Sequence, residues 1–369
     1  MAIHYLLLAL FVLYMLQTVL FRRFGMRRVE YERKLSVRTC FQGDEISLVE
    51  RLENRKWLPV PWLRVESQLP SGLKFHAQAN MDISSGSIYQ NHKSFFSLMP
   101  YTKITRRHAL TCMRRGVFRL ESVTLSAGDL FGVASHSSRL SFDLELLVYP
   151  LPLAYEDMNL PSHSWQGEVT VKRWIVEDPF LTAGTREYRY GDSMKGVNWS
   201  ATARSGKLQV NQHDYTADHR LLIVLNVEDH EGMWDAVNDV ELVERGISMA
   251  AGLAQHAIEQ GMEVGFAANA PTGLEPGKPI RSEVSGGMPH LTDLYELMAR
   301  MLVERLMPMH ELLYTLKDEL EDRTDIVLLS PYESGKLAEA VDSLRAQGHA
   351  VTSIRIEPLA ADRREEEPA

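Results

Sequence analysis

Cysteine is scarce in this chain. Cys40 and Cys112 are the only two in 369 residues, and neither sits in a Cys-x-x-Cys pair or a Cys/His zinc spacing. A disulfide framework and a zinc-built fold are thereby excluded, and two reduced core thiols in a reducing compartment are expected. A Gly-x-x-x-x-Gly-Lys-Ser/Thr loop is also missing, so the chain has no P-loop with which to hydrolyse a nucleotide. Basic excess is lacking too. With 40 Lys and Arg against 49 Asp and Glu, the formal net charge is −9, which argues against a general nucleic-acid binder.

Charge of either sign is absent from Ile3 to Phe21, a run dense in Leu, Val and Phe. About 20 such residues suffice for an α-helix to cross the hydrocarbon core. Arg22, Arg23, Arg27 and Arg28 follow at once, and no Lys or Arg precedes the run. By the positive-inside rule a single-pass anchor over residues 1–25 then leaves its N-terminus outside and the bulk of the chain in the cytoplasm. A cleaved signal peptide is the rival reading. It wants basic residues before the apolar run and small residues at a cleavage site, and neither occurs here.

Residues 29–150 show short alternating runs separated by turns. Glu45 to Leu52 and Trp62 to Glu66 alternate apolar with polar, as half-buried strands do. Gly43-Asp44, Pro70-Ser71-Gly72 and Gly128-Asp129 supply turns. Many short strands without a helical period predict an immunoglobulin-like β-sandwich. Trp57 and Trp62 flank Pro59 and Pro61, as partly buried rings on a rigid edge loop would. Asp82-Ile83-Ser84-Ser85-Gly86 echoes a metal-binding triplet but reads as a turn.

Residues 151–217 begin as a proline-containing linker. From 218 to 358 the pattern becomes doubly wound α/β. The continuous apolar run Leu221–Leu225 has the character of a strand buried on both faces, Met262–Ala268 reads as a second buried strand, and Ile326–Ser330 and Val351–Ile356 read as a third and fourth strand of a parallel sheet. Helical periodicity marks Val240–Gln260, Leu291–Glu304, Glu311–Glu319 and Ser334–Gln347, with Gly261 as a C-cap. The Gly- and Pro-rich stretch Gly273–Gly287 reads as a loop. A charged tail, 359–369, reads as disordered. The whole is a multidomain α+β chain: anchor helix, β-sandwich, then a parallel-sheet domain.

Between the two domains lies the densest cluster of informative residues: Gly184-Thr185-Arg186-Glu187-Tyr188-Arg189-Tyr190-Gly191-Asp192, then Val197-Asn198-Trp199-Ser200 and Ala203-Arg204, then Lys207-Leu208-Gln209-Val210. Upstream stand Arg115-Gly116-Val117-Phe118-Arg119-Leu120 and Asp129-Leu130-Phe131-Gly132. In order and spacing these resemble the signature of the bacterial domain of unknown function 58 family, with Leu130 where the family has proline. The resemblance implies a membrane-tethered protein with a von Willebrand A-like domain that works beside a MoxR-type AAA+ ATPase. Such proteins act in assembling or maturing protein complexes, in company with membrane proteins such as a transglutaminase-like one, and no cofactor or catalytic activity is implied. The signature and interaction residues are then Arg186, Glu187, Tyr188, Gly191, Asp192, Asn198, Trp199, Ala203 and Arg204.

Von Willebrand A domains hold a divalent metal through Asp-x-Ser-x-Ser at the end of their first strand, where ligands of open α/β sheets collect. Here that position reads Asn226-Val227-Glu228-Asp229-His230, and the later strand ends Leu329-Ser330-Pro331 without an aspartate. A degenerate site at Asn226, Glu228 and His230 is expected, exposed as an acidic turn. Within the signature, the charges either form a buried paired network floored by Tyr188 and Trp199, or act chemically, with Asp192 and Glu187 as acid and base. Ser193 and Ser200 have no evident histidine partner. The preferred expectation is a non-enzymatic adaptor. The alternative is a metal-dependent hydrolase or phosphate-binding protein using Asp192, Glu228 and Asp229.

Overall fold

The computed structural model describes residues 2–76, 81–85, 89–129, 135–158, 182–188, 197–213, 220–234, 236–320 and 323–358. The chain divides into two compact units, Met1–Leu151 with Tyr295–Arg300, and Pro152–Leu294 with Met301–Ala369. It is a mixed α/β protein with an N-terminal apolar helix and several sheets.

Helix α1 (Ala2–Phe24) opens the first unit, and its Ile3–Phe24 stretch is long and apolar enough to cross a membrane. The strands of this unit are β1 (Val29–Leu35), β2 (Thr39–Phe41), β3 (Glu45–Asn54), β4 (Val60–Pro70), β5 (Leu73–Phe75), β6 (Met81–Ser85), β7 (Tyr89–Leu98), β8 (Lys103–Cys112), β9 (Gly116–Gly128) and β10 (Ser135–Tyr149). They form a four-stranded sheet, β1-β3-β8-β5, and a six-stranded sheet, β2-β10-β9-β4-β7-β6. Burial alternates strictly along β7 and closely along β3, so each buries one face. Those faces share side chains: Ile46, Leu48 and Leu110 of the smaller sheet join Leu69, Leu120 and Leu146 of the larger in one apolar cluster.

A polar knot interrupts this interior. Arg33 Nη2 lies 2.7 Å from Glu50 Oε1 and also donates to Ser67 Oγ at 3.0 Å, while His108 Nε2 meets Glu50 Oε2 at 3.0 Å. Burial alone would raise the Glu50 carboxyl. The His108 bond and the Arg33 charge outweigh it and hold the group at about 2. Neighbouring His92 is pushed down to about 4 by burial and by the Arg33 charge.

The second unit holds a two-stranded ribbon, β11 (Thr182–Glu187) with β12 (Gln209–His213), joined through helix α2 (Trp199–Ser205). Its main sheet contains β13 (Arg220–Leu225), β14 (Glu263–Ala268), β15 (Ile280–Arg281), β16 (Asp325–Ser330) and β17 (Ala350–Arg355), in the order β15-β14-β13-β16-β17. All but β15 run parallel. Helices α3 (Val240–Glu259), α5 (Met309–Glu319) and α6 (Gly335–Ala346) complete it, with α4 (Met288–Arg300) as far as Leu294. Leu222, Val224 and Leu328 pack with Leu312 and Leu316 of α5 and Leu337 and Leu344 of α6. On the opposite face Gly246 of α3 meets Leu225 and Ile356. Asp239 caps α3 by accepting from Leu242 N at 2.9 Å. Gly252 of α3 is required by contact, since a Cβ there would fall 1.9 Å from Leu153 O.

Three local expectations are corrected. Asp82–Ser85 belongs to β6 rather than a turn, because it pairs with β7; Gly86 lies outside the described residues. The Gly273–Gly287 stretch contains β15, whose pairing with Ala267 and Ala268 covers the β14 edge. Trp57 is not partly buried but 64% exposed. The tail expected to be disordered, 359–369, lies outside the described residues.

Candidate functional site

The signature segment builds a small ribbon-and-helix motif. Arg186 pairs with Val210 and Glu187 with Gln209 across the ribbon, and Tyr188 N donates to Leu208 O at 2.9 Å. Asn198 N donates to Gln209 O at 2.8 Å, so the chain enters α2 from the ribbon edge. Asn198 Oδ1 then accepts from Ala201 N at 2.9 Å, which makes it the N-cap of α2. Gly206 closes the helix at φ 68°, a left-handed conformation in which glycine carries no steric penalty. A seven-residue helix cannot persist on propensity alone, so capping at both ends is what holds it.

Trp199 is 66% exposed, and Ala203 and Arg204 are exposed beside it. Arg204 donates within its own turn, to Ser200 O at 3.3 Å and Ser200 Oγ at 3.2 Å. The expectation that Trp199 and Arg204 sit in a buried charge network is therefore overturned, because α2 buries no residue at all. Tyr188 is half-buried. Gly191 and Asp192 lie outside the described residues, as do the side chains of Arg186 and Glu187.

At the carboxyl end of β13 the chain enters the place where ligands of parallel sheets gather. Asn226 is fully buried, and its Nδ2 donates to Ser330 Oγ at the end of β16, 3.1 Å away. Its Oδ1 accepts from Glu228 N at 3.0 Å and from Asn269 Nδ2 at 3.2 Å. Asn269 closes the ring by accepting from Val227 N at 2.9 Å. Every polar atom of the Asn226 amide is thus engaged inside the protein.

Glu228 is only 4% exposed, which corrects the expectation of an exposed acidic turn. Its Oε2 accepts from Tyr332 OH at 2.7 Å and from Met309 N, at the start of α5, at 3.3 Å. Its Oε1 lies 2.6 Å from Arg305 Nε, an ion pair rather than a directed hydrogen bond. Burial and the bond to Glu228 raise the Tyr332 hydroxyl above its ordinary range. Arg305 Nη1 also holds Met233 O at 2.7 Å and Trp234 O at 2.5 Å, fixing a loop whose Trp234 is 84% exposed.

Asp229 turns the other way. Its Oδ2 accepts from Asn238 N at 2.6 Å and Asp239 N at 3.1 Å, and its Oδ1 contacts the exposed His230 ring. Burial would raise this carboxyl, but the two N–H donors and His230 outweigh it and hold it below the usual carboxylate range. Asn226 and Glu228 are thus buried and linked by the Glu228 N bond to Asn226 Oδ1, with their side chains committed to protein partners, while His230 is exposed.

This donor set does not fit a hard divalent cation, which wants several free oxygen ligands in near-octahedral array. The Glu228 carboxylate already faces a guanidinium, whose charge repels a cation from the same spot, and both oxygens of Asp229 are engaged by Asn238 N, Asp239 N and His230. Among the described residues no three His, Cys, Asp or Glu side chains converge. Arg305 was missed from sequence because nothing near it in the chain marks it as a partner of Glu228.

A family model described as "Protein of unknown function DUF58" matches residues 184–367, which begin in β11 and run through the parallel sheet. The chain belongs to the DUF58 family. A DUF58-related chain, described as "Uncharacterized protein YeaD" of Bacillus subtilis (strain 168), is 20% identical over 259 residues, 70% of this chain and 60% of that protein. The chain thus spans 60% of the length of that relative. The upstream Arg115–Leu120 and Asp129–Gly132 segments lie outside the residues matched to the DUF58 model.

Two cohesin modules of known structure also align. The module of a Clostridium perfringens family 33 glycoside hydrolase is 9% identical, covers 32% of this chain and 96% of its own, and has a TM-score of 0.23. A non-cellulosomal cohesin of Archaeoglobus fulgidus is 10% identical, covers 30% of this chain and 90% of its own, and has a TM-score of 0.22. Scores this low bear on neither fold nor function.

Proposed function

We propose that this DUF58 chain is a membrane-anchored, non-enzymatic scaffold. In this reading its β unit is an immunoglobulin-like sandwich and its parallel-sheet unit a von Willebrand A-like domain whose metal position has been given over to structure. The observation that carries it is the buried Glu228–Arg305 pair. An enzyme needs reactive groups free to meet a substrate, and here the sheet-end carboxylate is spent on Arg305, Tyr332 and Met309 N. The exposed Trp234 and Trp199 supply aromatic surface of the kind enriched in protein interfaces.

The partner class follows from the family resemblance: a MoxR-type AAA+ ATPase, with clients among other membrane proteins such as a transglutaminase-like one. The anchor is α1, and the four arginines after it favour a cytoplasmic location for both units. Affinity capture of the full chain from native membranes should enrich an AAA+ ATPase, and Trp234→Ala should weaken that capture. Absence of any AAA+ ATPase or other membrane protein from the captured material overturns the scaffold reading. Calorimetry with Mg²⁺ and Mn²⁺ separates it from a metal-dependent hydrolase using Asp192, Glu228 and Asp229. Tight binding that Glu228→Gln abolishes would establish the hydrolase instead.

A further inference from the structure

The β unit is fastened to α1 with almost no slack. Met26 and Val29 pack against the cluster of Leu52, Val60, Leu63 and Leu98, two and five residues beyond the last residue of α1. At ~3.5 Å per residue, Met26 lies within about 7 Å of the helix end. Hydrogen bonds tie two loops of the unit to the same exit. Arg55 N donates to Arg28 O at 3.0 Å, and Lys56 Nζ donates to Gly25 O. Tyr101 N donates to Lys56 O at 3.3 Å, and Asn54 Nδ2 bridges Leu58 O and Met99 O at 3.0 and 2.9 Å. Alongside, Phe21 is buried and Gln17 Nε2 donates to Asp129 Oδ2 at 3.1 Å. From Gln17 to Phe24 the helix advances about 10 Å, closer to the depth of a headgroup layer than to that of the hydrocarbon core.

What this rim exposes is unusual for a solvated edge. Trp57, Met99 and Tyr101 are 64%, 64% and 72% exposed. Arg22, Arg23, Arg27 and Arg28 are all exposed, and no carboxylate among the described residues pairs with them. Arg28 and Tyr101, with φ of 58° and 54°, are the non-glycine residues of the described chain held in left-handed conformation. That conformation is disfavoured for any residue with a Cβ, and strain of this kind gathers at functional surfaces. Trp and Tyr favour the bilayer interface, where a ring meets hydrocarbon and its polar tip meets water. Unpaired arginines beside a span attract anionic headgroups.

We propose that this rim is a lipid-docking surface: Trp57, Met99 and Tyr101 enter the headgroup layer, while Arg22, Arg23, Arg27 and Arg28 hold phosphates of anionic phospholipids. The proposal rests on the anchored reading of α1. Docking at a rim this close to the span fixes the orientation of the β unit on the membrane instead of leaving it free on a tether.

The full chain in nanodiscs tests it, with native membranes as the control for the anchor. Recovery from native membranes only after detergent, and not by an alkaline wash, holds the anchor; release by the wash overturns the anchor and with it the docking surface that rests on it. The Trp57 signal is the difference between the emission of the unaltered chain and that of Trp57→Phe, an exposed substitution that leaves the fold intact. Shallow nitroxide-labelled lipid should quench this difference signal, and aqueous iodide should leave it largely unchanged. Quenching should be stronger with phosphatidylglycerol present than in phosphatidylcholine alone, and the excess should vanish in Arg27→Gln/Arg28→Gln. Quenching by iodide without quenching by lipid, in a chain that resists the alkaline wash, overturns the docking surface. Equal lipid quenching in both compositions overturns the assignment of the arginines to anionic lipid.

Discussion

Arg305 Nε lies 2.6 Å from Glu228 Oε1, and this pair closes the end of the parallel sheet. Removing one partner strands the other charge. Arg305→Ala should destabilise the second unit by about 3 kcal/mol, the low end of the range for a broken buried pair because Arg305 keeps some contact with water. Arg305→Met/Glu228→Gln should recover most of that loss, since Gln retains an acceptor for Tyr332 OH. Thermal unfolding of the unaltered chain, Arg305→Met, Glu228→Gln and their double gives the coupling. A double variant no better than Arg305→Ala contradicts the pairing.

The polar knot of the first unit predicts acid sensitivity with two stages. His92 falls from an ordinary 6.5 to about 4 in the folded chain, so between those values the unfolded chain binds more protons. Its contribution is present above about pH 6.5 and is lost as pH falls toward 4. Glu50 falls from 4.5 to about 2, so its contribution is present above about pH 4.5 and lost on approaching 2. Melting temperature should therefore decline below about pH 6.5, and His92→Gln should flatten the upper stage only. A profile unchanged by His92→Gln refutes the assignment.

Cys40 and Cys112 present their sulfurs to each other at 3.3 Å across the two sheets. Both are buried, and Cys112 has no exposed surface. Iodoacetamide should label neither thiol in the folded chain and both in urea. Labelling of the native chain at the rate of a free thiol would show that the sheets open there.

Within the signature, Asn198 and Trp199 should separate. Loss of the N-cap in Asn198→Ala should cost about 1 kcal/mol of local stability. Trp199→Ala, at an exposed position, should shift stability by no more than ~0.5 kcal/mol. Hydrogen exchange across α2 reads the difference. A large loss of protection in Trp199→Ala would return that ring to a packing role.

Much of the second unit was legible because its signals are local. A continuous apolar run marked β13, the alternation of strands with helices placed β14, β16 and β17, and the 3.6-residue period with Gly261 after it marked α3. Alternation of apolar with polar residues did the same for β3 and β4. The capping role of Asn198 was also local information, because a side-chain acceptor stands just before a short helical run.

The sequence by itself determined the apolar helix, the change from alternating to continuous strand character and the asparagine at the end of β13, since each depends on residues close together in the chain. Only the tertiary structure decided that Arg305 answers Glu228, that Cys40 faces Cys112, and that Trp57 stands exposed beside the end of α1. Periodicity states which face of an element is buried. It does not state which distant side chain meets that face, because that depends on strand order and on the path of every connection between them.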